Sequence, residues 1–137
     1  MDQQKNLHVG LALLAMALGG FAIGTGEFVI MGLLPDVAHG LGRSVTTAGN
    51  AITSYALGVV VGAPLIAVLG ARISRQRLLI FLMTLFAAGN LASAFAPGYL
   101  SFIAVRFISG LPHGAYFGVA SLVAASMVPA QQRGKAI

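Results

Sequence analysis

Between residues 7 and 34 the chain carries one formally charged side chain, Glu27. No other feature of the sequence restricts the fold as strongly. A helix over that stretch rises 1.5 Å per residue and crosses a hydrocarbon core of about 30 Å with room to tilt. A signal peptide is the competing reading of such a start, because Lys5 is followed by the apolar residues 11–18. The apolar region of a signal peptide is only about 7–15 residues long, however, and this run continues well past that length.

Three more runs of the same kind follow. Pro35 and Asp36 close the first span at about 7–34, and a polar link with His39, Gly40, Gly42 and Arg43 leads to a second at about 46–70. Arg72, Ile73, Ser74, Arg75, Gln76 and Arg77 form a basic link to a third span at about 78–96. Pro97-Gly98 marks a tight turn, and a fourth span covers about 100–128 before Pro129. Barrel strands would show alternating segments of about ten residues, and these runs neither alternate nor stop so soon. The sequence therefore predicts an all-α integral membrane protein with four transmembrane helices, antiparallel to their neighbours because every link is short. A soluble alternative fails on charge: 8% of the residues are charged and 58% hydrophobic, against roughly a quarter charged in an ordinary soluble domain.

The net charge of +5 does not point to nucleic acid, because the basic residues sit at the ends of apolar runs rather than along one helix face. Their placement instead sets an orientation. Lys5, the Arg72, Arg75 and Arg77 cluster, Arg133 and Lys135 fall on one side, and Arg43 on the other. The excess of Lys and Arg marks the cytoplasmic face, so the amino end and the basic link are expected there. The basic cluster can also meet anionic lipid.

Two charged residues lie inside spans, Glu27 and Arg106. Each costs roughly 2.5–3.5 kcal/mol or more at the bilayer centre, so such residues usually face a wet cavity or a partner. Burial favours a neutral carboxyl and a nearby guanidinium favours the carboxylate. Balanced between the two, Glu27 can load and release a proton as its surroundings change, with Arg106 as the expected counter-charge. His113 follows Arg106 by seven residues, nearly on the same helix face, and imidazole is a natural proton relay. A lone intramembrane His is more often a satisfied hydrogen-bonding residue. Gly110, Gly114 and Gly118 continue from Arg106 at steps of four, and Gly58 and Gly62 lie four apart in the second span. Both rows are expected to let another helix pack closely. Pro64 and Pro112 sit in the same spans, and Pro112 is expected to kink its helix. Asn50, Tyr55 and Asn90 are candidate contacts along a solute path.

Several suggestive strings carry no catalytic chemistry. Gly24-Thr25-Gly26 has no strand before it and no polar loop to hold a nucleotide. Ser109 and His113 lie one turn apart on one helix, whereas a nucleophile and its base need to face each other. The chain has no Cys, and its three His and three acids are scattered, which gives no metal-ligand spacing. No enzyme activity, metal or cofactor is expected.

The string Gly24-Thr25-Gly26-Glu27-Phe28-Val29-Ile30-Met31-Gly32-Leu33-Leu34-Pro35 resembles the first helix of bacterial major facilitator superfamily transporters. It is most similar to the drug:proton antiporter branch with its arabinose-efflux-permease-like, sugar and nucleoside exporters. Ser54-Tyr55-Ala56-Leu57-Gly58 through Gly62-Ala63-Pro64 is similar to that branch's second helix, and Gly110-Leu111-Pro112-His113-Gly114-Ala115-Tyr116-Phe117-Gly118 to its fourth. The signature between helices two and three departs from the family pattern. Ala67, Ala71 and Ser74 stand where the family has Gly, Asp and Gly, while Arg72, Arg75 and Arg77 remain. The departure removes the acid of the family's gate salt bridge at that place. The fourth-helix signature, an Arg with a Gly four residues on, is present as Arg106 and Gly110.

The resemblance implies that residues 1–137 are the amino-terminal part of a major facilitator domain, the first third of a twelve-helix fold built from two six-helix halves. It implies proton-coupled efflux of a small drug, sugar or nucleoside across the bacterial plasma (inner) membrane, with Glu27 and Arg106 in proton movement. The partners would be the solute, protons, the lipid bilayer and the remaining helices of the transporter. Four helices cannot supply both halves of an alternating-access machine, so the chain alone is expected to be an incomplete transporter. Two other readings stand beside this one: a complete four-helix multidrug exporter acting as a homodimer, and a non-transporting membrane scaffold subunit.

Overall fold

The structure is a computed structural model that describes the backbone of residues 2–136 and the side chains of residues 7–135. Lys5, counted among the basic residues of the amino end, lies outside the residues whose side chains are described. The chain is helical throughout, with α1 (Asp2–Gly32), α2 (Leu34–Gly40), α3 (Val45–Ala48), α4 (Asn50–Leu69), α5 (Arg75–Ala94), α6 (Tyr99–Met127) and α7 (Arg133–Ala136). Short 3-10 turns at Gly70–Arg72 and Ala130–Gln132 complete the links. Four helical stretches are long and apolar enough to cross a membrane: Leu7–Gly32, Val45–Arg72, Arg75–Ala94 and Tyr99–Met127.

The first polar link is itself largely helical, formed by α2 and α3. Pro35 has no N–H to give to the Met31 carbonyl, so the hydrogen-bond ladder breaks near Leu33. It resumes at once, with Val37 N–H bonded to the Leu33 carbonyl at 3.0 Å. Pro in a first helical turn loses only a donor that would lack a partner anyway, which is how α2 forms here. Its end is closed by Gly42 at φ +59, where Arg43 N–H reaches back to the Ala38 carbonyl at 2.9 Å. A left-handed residue at this place favours glycine. Ser44 then caps α3 by accepting from Thr47 N–H at 3.1 Å. Pro64 and Pro112 both lie inside their helices, α4 and α6, without ending them.

Helix α6 is the centre of the bundle and touches α1, α4 and α5. Its closest neighbour is α4, and the reason is the absence of side chains on both. A Cβ on Gly58 would collide with the Phe107 carbonyl, one on Gly62 with the Leu111 backbone, and one on Gly110 with the Tyr55 carbonyl. Lipid tails are as apolar as the helices, so close van der Waals packing must supply much of the association, and these glycines make that approach possible. Gly114 extends the seam against Ala63 and Val59. Gly118 was expected to continue it but does not, since a Cβ there would meet nothing within 4 Å. Beyond Gly114 a cavity of about 460 Å³ opens, with the small residues Ala67, Gly70 and Ala71 on one side and Gly118, Val119 and Leu122 of α6 on the other.

Helix α1 is held differently. Ile23 joins Leu82, Phe86, Ala115 and Tyr116 in one apolar cluster with α5 and α6. Ile30 joins Ala51 and Phe102 in another, towards α4 and the start of α6. The Tyr116 hydroxyl donates to the Met16 carbonyl at 2.9 Å, and its ring packs on Gly19. Much of the rest of α1 is exposed, including Leu11, Leu14, Leu18, Phe21 and Phe28.

Candidate functional site

Three helices bring four polar side chains together. Glu27 comes from α1, Tyr55 from α4, and Arg106 and His113 from α6. The glycine seam fixes their register: Gly110 rests against the Tyr55 carbonyl, which sets the Tyr55 side chain between Arg106, one turn before Gly110, and His113, one turn after. The Tyr55 ring lies under the Arg106 guanidinium, 4.4 Å from centroid to carbon. Its hydroxyl is 3.1 Å from His113 Nδ1. The same Nδ1 is 3.9 Å from Glu27 Oε2. Phe117 closes one side of the imidazole, with ring centroids 5.3 Å apart.

Arg106 departs from the pairing that the two intramembrane charges suggest. It was expected to be the counter-charge of Glu27, yet among the described residues no carboxylate lies within 4.0 Å of it. Its guanidinium instead faces an aromatic ring, a cation–π contact that gains strength away from water. Arg106 is 3% exposed, and its Nε has no hydrogen-bond partner. Histidine, not arginine, is the basic group next to the Glu27 carboxylate.

The three candidate solute contacts separate in space. Tyr55 is 2% exposed and occupied by Arg106 and His113. Asn50 is exposed and donates to the Tyr99 hydroxyl at 2.9 Å, while Arg43 lies over the same Tyr99 ring. Asn90 on α5 donates to the Phe86 carbonyl one turn back, at 2.8 Å. A Cβ on Gly26 would meet both the Phe86 ring and the Asn90 side-chain oxygen, so Asn90 faces α1 at the residue before Glu27. Arg72, in the 3-10 turn, and Arg75 and Arg77, at the start of α5, are exposed and away from the cluster. A cavity of about 1030 Å³ lies between α1, α5 and α6, with Met16, Leu79, Met83 and Tyr116 in its walls and Arg75 at its rim. None of the four clustered side chains lines it. Among the described residues no group of three or more His, Cys, Asp or Glu side chains is placed to hold a metal ion.

Sequence reasoning placed Tyr55 on a solute path and missed its bond to His113. A signal was present, since Tyr55 precedes Gly58 by three residues and Gly62 by seven. That spacing puts it on the face of α4 that packs on α6.

Residues 16–137 match the family described as Major Facilitator Superfamily. The chain belongs to that superfamily. It is 47% identical over 131 residues to the inner membrane transport protein YdhP of Escherichia coli strain K12, covering 96% of this chain and 34% of YdhP. To the MFS-type transporter YtbD of Bacillus subtilis strain 168 it is 45% identical over 126 residues, 92% of this chain and 32% of YtbD. To a chloramphenicol resistance protein of Streptomyces lividans it is 36% identical over 127 residues, 93% of this chain and 32% of that protein. The chain thus spans about a third of the length of these curated relatives. No solved structure matches it. With four bilayer-length helices and this family, it is a multi-pass protein of the bacterial inner membrane.

Proposed function

We propose that residues 1–137 form the first four helices of a proton-coupled exporter of a small solute, with the amino end in the cytoplasm and Glu27 as the proton site. The observation that carries this reading is the Glu27 carboxylate 3.9 Å from His113 Nδ1, inside a span, with the Tyr55 ring between that histidine and the buried Arg106 guanidinium. An acid kept at such cost within the bilayer normally faces a pathway or a partner. Glu27 is partly exposed, its side chain retaining 33% of its accessible surface, so one side of it is open to whatever faces α1. His113 stands on the other side, with Tyr55 and Arg106 behind it.

In this reading Glu27 takes a proton from the outer side and yields it to the cytoplasm, and solute leaves in exchange. His113 accepts or returns the proton locally, and the Arg106 charge favours its release by stabilising the carboxylate. The other half of the transporter supplies the facing wall, and access alternates as one half rocks against the other. A drug-like solute is favoured by the similarity to a protein named for chloramphenicol resistance. Membership of the major facilitator superfamily favours this reading over a self-contained four-helix exporter.

The test uses everted membrane vesicles from cells expressing the complete gene, energised to acidify their interior. Chloramphenicol serves as the solute probe and a pH-sensitive dye reports proton exit. The Glu27→Gln variant should reach the membrane in normal amount and lose both uphill chloramphenicol accumulation and solute-dependent proton release. Uphill accumulation that survives in Glu27→Gln removes this carboxyl from the coupling mechanism.

A further inference from the structure

His113 Nδ1 faces two competing partners. The Tyr55 hydroxyl is at 3.1 Å, within hydrogen-bond range, and Glu27 Oε2 is at 3.9 Å, just outside it. A ring nitrogen makes one such bond at a time: bare, it accepts from a hydroxyl, and protonated, it donates to a hydroxyl or a carboxylate. The two partners come from different helices. Tyr55 cannot drift from α6, because its own carbonyl is packed on Gly110 and its ring is held under Arg106. Glu27 rides on α1, whose contacts with α6 are made by side chains. A closure of less than about 1 Å would bring its carboxylate to bonding distance.

We propose that Tyr55 is a positioning residue of the proton site, its hydroxyl holding His113 Nδ1 apart from Glu27 until α1 moves. The inference rests on the reading of Glu27 as that site. While the hydroxyl donates to Nδ1, the ring proton stays on Nε2 and the Glu27 carboxyl loads its proton independently of the ring. When α1 closes, the protonated Glu27 carboxyl displaces the Tyr55 hydroxyl and donates to the bare Nδ1; passing that proton across leaves a carboxylate bonded to an imidazolium. The charged and titratable groups facing His113 are Glu27 from α1, Tyr55 from α4 and Arg106 from α6 itself. Helix α5 offers none there, as its charged residues are Arg75 and Arg77 at its first turn. Tyr55 therefore acts on the site through His113 and does not touch solute.

The Tyr55→Phe variant removes the hydroxyl and keeps the ring beneath Arg106. Nitrogen NMR of the histidine-labelled transporter in lipid nanodiscs, with the His113 signals assigned by His113→Gln, reads the contact directly. The wild type should show a hydrogen-bonded, unprotonated Nδ1 with the proton on Nε2. In Tyr55→Phe that signature should be lost and both tautomers should appear. Identical nitrogen shifts in the two proteins overturn the proposal. In everted vesicles, Tyr55→Phe should lower the maximal rate of chloramphenicol transport about fivefold or more, with KM changed less than about twofold. A raised KM at an unchanged maximal rate would make Tyr55 a solute contact and overturn the positioning role. Combining Tyr55→Phe with His113→Gln should lower the rate no further than His113→Gln alone, and additive losses count against a shared path. The nitrogen spectra need neither solute nor gradient. A failure there concerns Tyr55 alone, whereas an error in the proton-site reading appears in Glu27→Gln.

Discussion

Helices α4 and α1 both pack on α6, but by different means. Against α4 the contact is backbone on backbone, with Gly58, Gly62 and Gly110 each seated on an opposing carbonyl or main chain, and Ser54 donating across to the Ile103 carbonyl at 2.9 Å. Against α1 it runs through side chains, chiefly Tyr116 on Gly19 and Phe117 beside Gly20. A seam of main chain has no rotamers to adjust, so its register is nearly fixed. A side-chain contact can slide by changing rotamers. Tyr55, Arg106 and His113 all sit on the fixed pair, while the carboxylate sits on the helix with more freedom. The difference teaches how one site can stay assembled and still change: its basic and aromatic parts keep their mutual distances, and only the distance to Glu27 is adjustable.

The largest effect should come from filling the seam. Gly58→Ala places a methyl group on the Phe107 carbonyl and Gly110→Ala on the Tyr55 carbonyl. Overpacking of this sort typically costs about 1–3 kcal/mol, and main chain yields less readily than a side chain. Both variants should show less protein in the membrane and earlier thermal aggregation in detergent than wild type. Gly24→Ala on α1, where a Cβ meets nothing within 4 Å, should behave as wild type in both measurements. Equal tolerance at the two sites would erase the contrast between the helices.

The bilayer made the gross fold legible. Four helices of spanning length follow from apolar runs that water could not accommodate, and from backbone polar groups that lipid leaves no choice but to pair within each helix. The links were harder to read, because Pro35 and Asp36 look like a stop while the same Pro is welcome in the first turn of α2. At the site, seven-residue spacing was enough to put Arg106 and His113 on one face. Matching Glu27 with Arg106 by sign alone did not show that the contact is indirect, since charge in a sequence carries no information about what already occupies a side chain. The Tyr55 ring takes the face of the guanidinium, and that contact depends on the crossing of α4 and α6 rather than on any local pattern. The glycine rows announced a crossing, but Gly118 belongs to the row by spacing and to a cavity by position.

A smaller and more direct effect should appear when the carboxyl is neutralised. Residues 1–137 contain no Cys, so once any Cys elsewhere in the expressed protein is replaced, spin labels can be placed through Thr25→Cys with Ala104→Cys for α1 and α6, and Leu57→Cys with Ala104→Cys for α4 and α6. All three positions are exposed. Adding Glu27→Gln should move the first distance distribution by roughly 1–2 Å, a usual amplitude for a helix shift. The second should stay unchanged. If both pairs respond together, α1 is not the element that moves. If neither responds, the carboxyl does not govern its placement.

The smallest effect is expected at Ser54, an α4 side chain that hydrogen-bonds to the main chain of α6. Its hydroxyl donates to the Ile103 carbonyl at 2.9 Å, yet that carbonyl belongs to α6 and already accepts within its own helix. Interhelical hydrogen bonds in membranes average only about 0.6 kcal/mol, because a polar group released in the bilayer finds other partners. Ser54→Ala keeps the small volume that the crossing needs and removes only the bond. Its aggregation temperature in detergent should therefore fall slightly, far less than that of Gly58→Ala. A loss at Ser54 as large as that at Gly58 would mean that hydrogen bonding, not main-chain contact, holds α4 to α6, and the fixed register of Tyr55 would then need another cause.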